Sequence, residues 1–509
     1  MKKWLSKNWL LTLILAIATF LRFFKLDSLP PGLHPDEAAN GLDIISLIEN
    51  GNFAAIYDTN GPREALFFYC QAIFVWIGNF FHIAALDYTP LALRIAPAII
   101  GIVTVWAIYL LGKELFNRNV GLFAAAALAV SSWHVQFSRN GFRAIMAPLA
   151  LIFLFYFFTK AYREGKLKYY IATGIAFALG FYTYLSFRMA PLVLIALLIF
   201  ILVKDKKFLV VNKQKLTYMF VAFFIVMIPM LIHFCYVPED IMGRASTSIT
   251  NSELNNGSAI GTLVSNIKDT ALMFTFAGDE NYRHNLGGTP MLDPFVGLLF
   301  WIGVVIVLFN LKKIEYFLML MWFGALSLPE ILTAEGIPHA LRIVGVIPVV
   351  FLCVGIAADA IIRKVKADKF AVAAVIGLCV ISGALTYNKY FVLFPAKGET
   401  GEAYAEDMVA IANDINSATD TRENILIVGE YGTKTVEFIT HSTGHTWERF
   451  EARDAENVEI NSSEYKIFVA KDWLDETKEN LALIGLNYDF TAVTSPIDGR
   501  IIYYVYENN

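Results

Sequence analysis

Apolar residues along this chain gather into long blocks separated by short polar connections. The blocks fall at roughly 9–24, 92–111, 120–137, 145–159, 169–185, 189–203, 216–236, 293–310, 315–332, 343–362 and 370–390. A helix needs ~20 apolar residues to cross a ~30 Å hydrocarbon layer, so these eleven blocks predict membrane spans. After residue 390 the pattern changes. The stretch 403–418 has helical apolar spacing, 425–428 and 467–470 read as buried strands, 473–484 as a helix and 501–506 as a last strand. The fold class expected is a polytopic α-helical membrane domain over 1–390, followed by a soluble α/β domain over 391–509.

The connections set the orientation. Lys2, Lys3, Lys7, Lys113, Arg118, Lys160, Arg163, Lys166, Lys168, Lys204, Lys206, Lys207, Lys213, Lys215, Lys312, Lys313, Arg363, Lys364, Lys366 and Lys369 all fall on one set of alternate loops. Only five acids accompany them: Glu114, Glu164, Asp205, Glu315 and Asp368. Basic loops stay cytoplasmic, so the N-terminus is expected inside and, after eleven crossings, the C-terminal domain outside. The block at 66–83 is apolar enough for a twelfth span, but inserting it would place 17 of those 20 basic residues outside. It is therefore expected as an interfacial or re-entrant helix of the first external loop, or as part of a paired insertion. Its neighbour 43–56 looks amphipathic. The first block resembles a signal peptide, with an Ala16-Ile17-Ala18 site, yet it runs on to Phe24 and is expected to remain as the first span.

Composition agrees: 57% of the 509 residues are hydrophobic and only 17% charged, an excess seldom needed by a soluble protein of this size. The net charge of −4 conceals an asymmetry, since the chain from Ala396 onward carries 22 acidic against 9 basic residues. So acidic a domain argues against nucleic acid as a partner. The four cysteines (Cys70, Cys235, Cys353 and Cys379) all lie in apolar segments, and no Cys/His spacing calls for a metal.

Two external regions are large, about 25–90 and about 237–292. The external boundary collects Asp36, Glu37, Arg63, Glu64, Arg94, Arg139, Arg143, Arg188, His339 and Arg342. Orientation disfavours external arginines at span ends, and an unpaired buried guanidinium is expensive, so these need another reason. Guanidinium groups there suit a lipid phosphate, which they meet with bidentate donors, or a nearby acid such as Glu335. In His34-Pro35-Asp36-Glu37, two carboxylates follow a Pro-Pro-Gly turn close to the membrane surface, where one could serve as a general base. Solvated loop or helix-start acids, ordinary headgroup contacts and pairing of the arginines with Asp36, Glu37 or Glu335 would explain each feature singly; their convergence on one face favours a site.

Five segments carry a family resemblance: PPGLHPDEAANG (30–41), NGPREALFFY (60–69), LALRIAPAIIG (91–101), SSWHVQFSRNGFRAIMAPL (131–149) and EGIPHALRIVGVIPVV (335–350). Together they resemble the prokaryotic relatives of protein O-mannosyltransferases, glycosyltransferase family 39, with a GT-C fold. The resemblance covers roughly residues 1–360 and leaves the C-terminal domain undiagnosed. It implies sugar transfer from a polyprenyl-phosphate-linked donor on the extracytoplasmic face. By motif position it implies Asp36 as general base, with Glu37 positioning or replacing it. Arg63 and Glu64 correspond to a charged pair of the same loop, and Arg94 contacts donor or braces that loop. Arginines drawn from Arg139, Arg143 and Arg342 are expected to hold the leaving phosphate, with His339 beside the last. Relatives often carry an aspartate where this chain has Arg143-Ala144-Ile145-Met146, a departure that points to a different acceptor.

Partners expected are the lipid-linked donor, membrane lipids and an acceptor protein, lipid or glycan. No cofactor is called for; a divalent cation stays open, since Asp279, Glu280 and His284 can be read as ligands. A ligase or polymerase of lipid-linked glycans would use the same external arginines. An oligosaccharyltransferase shares the plan, but its W-W-D motif is absent from the C-terminal domain. A transporter or flippase would bury charge at mid-membrane and often repeat internally; neither pattern is visible here.

Overall fold

The structure, a computed structural model, describes residues 2–241, 258–334, 336–366, 370–417, 422–460 and 462–508. Among these, seven helices are long and apolar enough to cross a membrane: Pro90–Leu115, Arg143–Glu164, Leu185–Lys204, Phe208–Tyr236, Ile314–Ile331, Val344–Lys364 and Ala371–Leu393. Four shorter apolar helices, Asn8–Phe23, Arg118–Ala129, Leu167–Phe181 and Pro294–Leu308, fall on the remaining expected spans. The protein is a multi-pass helical membrane protein. The contested block is the 16-residue helix Leu66–Phe81, one of the shorter apolar helices. Glu335, Asp368, Lys369 and the stretch 242–257 of the second external region lie outside the described residues.

One expected span is broken. In place of a single helix over 120–137 there are two, Arg118–Ala129 and Ser132–Phe137. A helix end leaves carbonyls without partners, and in an apolar interior each must find a donor. Here Arg22 Nη1 donates to the Ala129 carbonyl at 3.0 Å and Thr386 Oγ1 to that of Val130 at 2.5 Å. Ser131 then caps the second helix by accepting from the His134 N–H.

The chain forms two compact units. The first comprises Met1–Phe24, Phe53–Phe67 and Ala96–Phe391. It contains most of the helices, and a two-residue ladder, β1 (Ile56–Tyr57) against β2 (Arg63–Glu64). Small residues let its helices approach closely. A Cβ at Gly355 would lie 2.5 Å from the Val120 carbonyl oxygen, so the helices Ile347–Lys364 and Arg118–Ala129 touch through backbone.

The second unit comprises Lys25–Asn52, Phe68–Ile95 and Val392–Asn509. Its sheet has strands β3 (Glu423–Ile427), β4 (Glu448–Phe450), β5 (Tyr465–Ala470), β6 (Thr491–Thr494) and β7 (Ile501–Asn508), in the order β4-β3-β5-β7-β6. The first three run parallel, while β7 is antiparallel to β5 and β6. Both faces of β3 are covered, as an unbroken apolar strand requires. Leu426 and Val428 pack with Met408, Ile411 and Val436 on one side; Ile425 and Ile427 pack with Ala455, Val469 and Leu481 on the other. Among the α-helices and strands described in this domain, four were not expected: β4, β6, the helix Gly398–Ala403 and the helix Glu430–Thr440. That helix lies along Pro35–Asn50 of the first loop, and a Cβ at Gly41 would meet the Phe438 ring at 2.3 Å.

Gly355→Val should lower stability by about 1–3 kcal/mol through overpacking. Gly377 has nothing within 4 Å of its would-be Cβ, so Gly377→Ala should be neutral or better. Unfolding temperatures in detergent check both; equal stability of Gly355→Val and the wild type would disprove the close helix contact.

Candidate functional site

In the second unit, the sequence His34-Pro35-Asp36-Glu37 starts a helix. The amphipathic stretch expected at 43–56 is a helix that begins earlier, at Pro35, and stops at Gly51, whose left-handed φ of 63° ends it. Proline suits the first helical position, and acids in the first turn suit the positive end of the helix dipole. His34 caps the helix, its Nδ1 accepting from the Asp36 N–H at 3.0 Å.

The two adjacent acids have separate surroundings. Glu37 is fully buried, and its Oε2 meets Arg94 Nε at 3.2 Å. Arg94 also donates to the carbonyls of Pro30 at 2.9 Å and Gly32 at 2.5 Å. Its guanidinium therefore braces the loop before Asp36, and Glu37 is held as its counter-ion. The Asp36 side chain keeps 34% of its surface exposed. Its Oδ1 accepts from Tyr431 Oη at 2.5 Å, and Oδ2 lies 3.6 Å from His34 Nδ1. Tyr431 belongs to the helix Glu430–Thr440, whose own sequence gives no hint of this contact.

In the first unit, Glu64 is buried on β2 between two arginines. Arg143 Nε reaches its Oε2 at 2.9 Å and Arg188 Nη2 its Oε1 at 3.5 Å. Arg143 also lies over the Tyr184 ring, and Arg188 donates to the carbonyls of Asp240 and Ile241. Arg63, its neighbour on β2, is buried. Asp240 also acts on the Arg188 charge, so this cluster holds arginines against two acids, Glu64 and Asp240. Arg139 is different: fully buried, it donates to the carbonyls of Leu21 and Arg22 at 3.1 and 2.9 Å. With the rings of Tyr390 and Phe391 stacked on it, it ties the end of the first helix.

A second cluster in this unit joins two loops. Asp279 Oδ2 accepts from His284 Nδ1 at 2.8 Å and from the Ala340 N–H at 2.7 Å, while Oδ1 accepts from the Asn281 N–H at 2.8 Å. His284 and His339 rings lie 4.6 Å apart, and the His339 N–H donates to Glu330 Oε1. Burial alone would raise the Asp279 carboxyl, but the His284 hydrogen bond and both histidine charges hold it below its ordinary range. Burial pushes His284 down despite its bond to Asp279. Burial, then the charges of His284 and Arg342, push His339 down to about 3. Asp279, His284 and His339, not Glu280, are the groups with ligand atoms within 4.8 Å of one another. Three N–H donors meet the Asp279 oxygens, and the cluster ties the loop at 279–284 to the loop that carries His339 and Arg342.

Residues 72–233 match the family model described as dolichyl-phosphate-mannose-protein mannosyltransferase. No curated protein matches the chain in sequence. Among solved structures, ArnT from Cupriavidus metallidurans bound to undecaprenyl phosphate is 13% identical, with a TM-score of 0.57 and coverage of 98% of each chain. The same protein in the apo state gives a TM-score of 0.59 at 13% identity, covering 99% of this chain and 98% of that one. The archaeal oligosaccharyltransferase AglB from Archaeoglobus fulgidus, in complex with an inhibitory peptide and a dolichol-phosphate, is 14% identical. Its TM-score is 0.54, covering 98% of this chain and 74% of that one. The fold is that of the GT-C membrane glycosyltransferases, with a sheet-containing C-terminal domain.

Because His339 is held well below its unfolded value, the unfolded chain binds the extra proton first as pH falls. Stability should therefore decline from about pH 7 downward, by at most about 1.4 kcal/mol per pH unit for this one group. Unfolding in detergent at pH 7.5 and 5 checks it: His339→Gln should flatten the slope, and an unchanged slope would refute the assignment.

Proposed function

We propose that this protein transfers a sugar from a polyprenyl-phosphate-linked donor to an acceptor on the extracytoplasmic face of the membrane, with inversion at the anomeric carbon. The basic loops support an orientation with the N-terminus inside and the C-terminal domain, Asp36 and the boundary arginines outside. One observation carries the mechanism: of two adjacent acids on one helix start, Glu37 is neutralised by buried Arg94 while Asp36 is exposed. A general base must be able to reach the proton it takes, which fits Asp36 and not Glu37.

The acceptor's nucleophilic atom forms a bond to the anomeric carbon as the bond from that carbon to the phosphate oxygen breaks. The electron pair leaves with polyprenyl phosphate, and the acceptor proton passes to Asp36. Arg143, Arg188 and Arg342 are the cations assigned to the leaving phosphate. Arg139 is omitted because it is fully buried, whereas Arg188 keeps part of its side chain exposed. Arg63 and Glu64 frame the positive cluster, and His339 orients the loop carrying Arg342. A different acceptor from that of mannosyltransferase relatives remains the expectation from Arg143.

Membranes containing the protein, incubated with a panel of labelled polyprenyl-phosphate hexoses and pentoses, should yield labelled product. Asp36→Asn should cut transfer by roughly a hundredfold or more with expression intact. Full activity of that variant would remove Asp36 from the mechanism. Substrate-dependent flux into liposomes with no glycosyl product from the wild type would replace transfer with transport.

A further inference from the structure

The C-terminal domain has no role in the scheme above, yet it supplies a polar group that touches the proposed base. Tyr431 Oη donates to Asp36 Oδ1 at 2.5 Å, and the tyrosine stays 45% exposed, so hydrophobic burial does not account for its place. Its position is fixed by a contact running the length of the helix Glu430–Thr440. Thr435 Oγ1 donates to the Leu33 carbonyl at 2.9 Å, one residue before the helix-capping His34. Phe438 fills the notch left by Gly41. At the far end His441 Nε2 and Tyr88 Oη both meet Glu49 Oε1 at 2.8 Å. These contacts hold the helix Pro35–Asn50 from its first turn to its last.

From this geometry we infer that Tyr431 is a positioning residue for the Asp36 carboxylate, making the C-terminal domain part of the catalytic apparatus. The inference rests on Asp36 being the base. A free aspartate side chain rotates and turns its carboxylate plane, and most of those orientations point no lone pair at the acceptor. Donation from Tyr431 to one oxygen fixes the plane, and the His34 ring, edge-on to Tyr431 at 5.9 Å, limits it from the other side. Among the described residues, the charged or titratable groups near this carboxylate include His34, the Glu37–Arg94 pair, Tyr431 and Lys434, whose Nζ lies 5.8 Å from the Tyr431 ring centroid.

The test is the titration of Asp36 in the purified full-length chain in detergent. It is followed by infrared difference spectroscopy and assigned by the carboxyl band lost in Asp36→Asn. Tyr431→Phe keeps the ring and removes the donor, so the Asp36 midpoint should rise by about one pH unit. In the transfer assay kcat should fall roughly tenfold to a hundredfold with KM little changed. Thr435→Val weakens the helix contact without touching Asp36; it should lower the unfolding temperature and leave the midpoint in place. An unmoved midpoint in Tyr431→Phe, or an equal shift in Thr435→Val, would overturn the positioning role. Full transfer by Asp36→Asn would instead overturn the base beneath it, which tells the two failures apart.

Discussion

The interaction on which much of this structure depends is a buried guanidinium bound to backbone carbonyls where a helix stops. A helix end leaves carbonyl groups without intrahelical partners, and neither hydrocarbon nor a packed interior offers water to replace them. Arginine brings five donors on a rigid plane, enough to satisfy two or three such groups at once. Arg22 meets the Ala129 carbonyl and permits the break after Arg118–Ala129. Arg139 meets those of Leu21 and Arg22, and Arg94 those of Pro30 and Gly32. At Pro30 and Gly32 the same kind of donor holds a loop in place of a helix end.

Meeting that constraint divides the boundary arginines into two kinds. Arg94 and Arg139 are fully buried and hold backbone carbonyls, Arg94 with Glu37 as its counter-ion. Arg143 and Arg188 flank one buried acid, Glu64, and stay partly exposed, so they can still meet a ligand. Arg342 is set beside histidines that burial keeps neutral. Neutral imidazoles add no repulsion to a cation whose proposed task is to hold a phosphate. The same economy governs the acids, because Glu37 is consumed in fixing Arg94 and the loop that precedes Asp36.

Much of the membrane architecture was legible because hydrocarbon imposes a length on each apolar block, and blocks can be counted. The break inside 120–137 was not, since Val130 and Ser131 sit in an apolar run and the donors that permit the break lie 107 and 256 residues away. Strands β3, β5 and β7 were visible as concentrated apolar runs. Strands β4 and β6 are short and half-exposed, and the helix Glu430–Thr440 has five threonine and glutamate positions that dilute its apolar stripe. The charged residues of the candidate site could be named from their place at the boundary, but charge alone does not disclose a partner. Arg139 and Arg143 look alike in sequence and differ wholly in use. Proline followed by two acids after a residue able to cap is a helix start, and the structure puts Asp36 in that first turn.

That first turn explains why two neighbouring carboxylates need not compete for one role. Successive residues on a helix are rotated by about 100°, so Asp36 and Glu37 cannot face the same environment. Glu37 turns to the buried side, where an unpaired charge would be costly and Arg94 neutralises it. Asp36 turns to the open side at the positive end of the helix dipole, which favours its ionised, proton-accepting form. A glycosidase needs a second catalytic acid because its leaving group is a poor one. A polyprenyl phosphate departs as a stable anion and needs cations more than a proton. For the proposed reaction, one partly exposed carboxylate to take the acceptor proton and cations to meet the phosphate are enough.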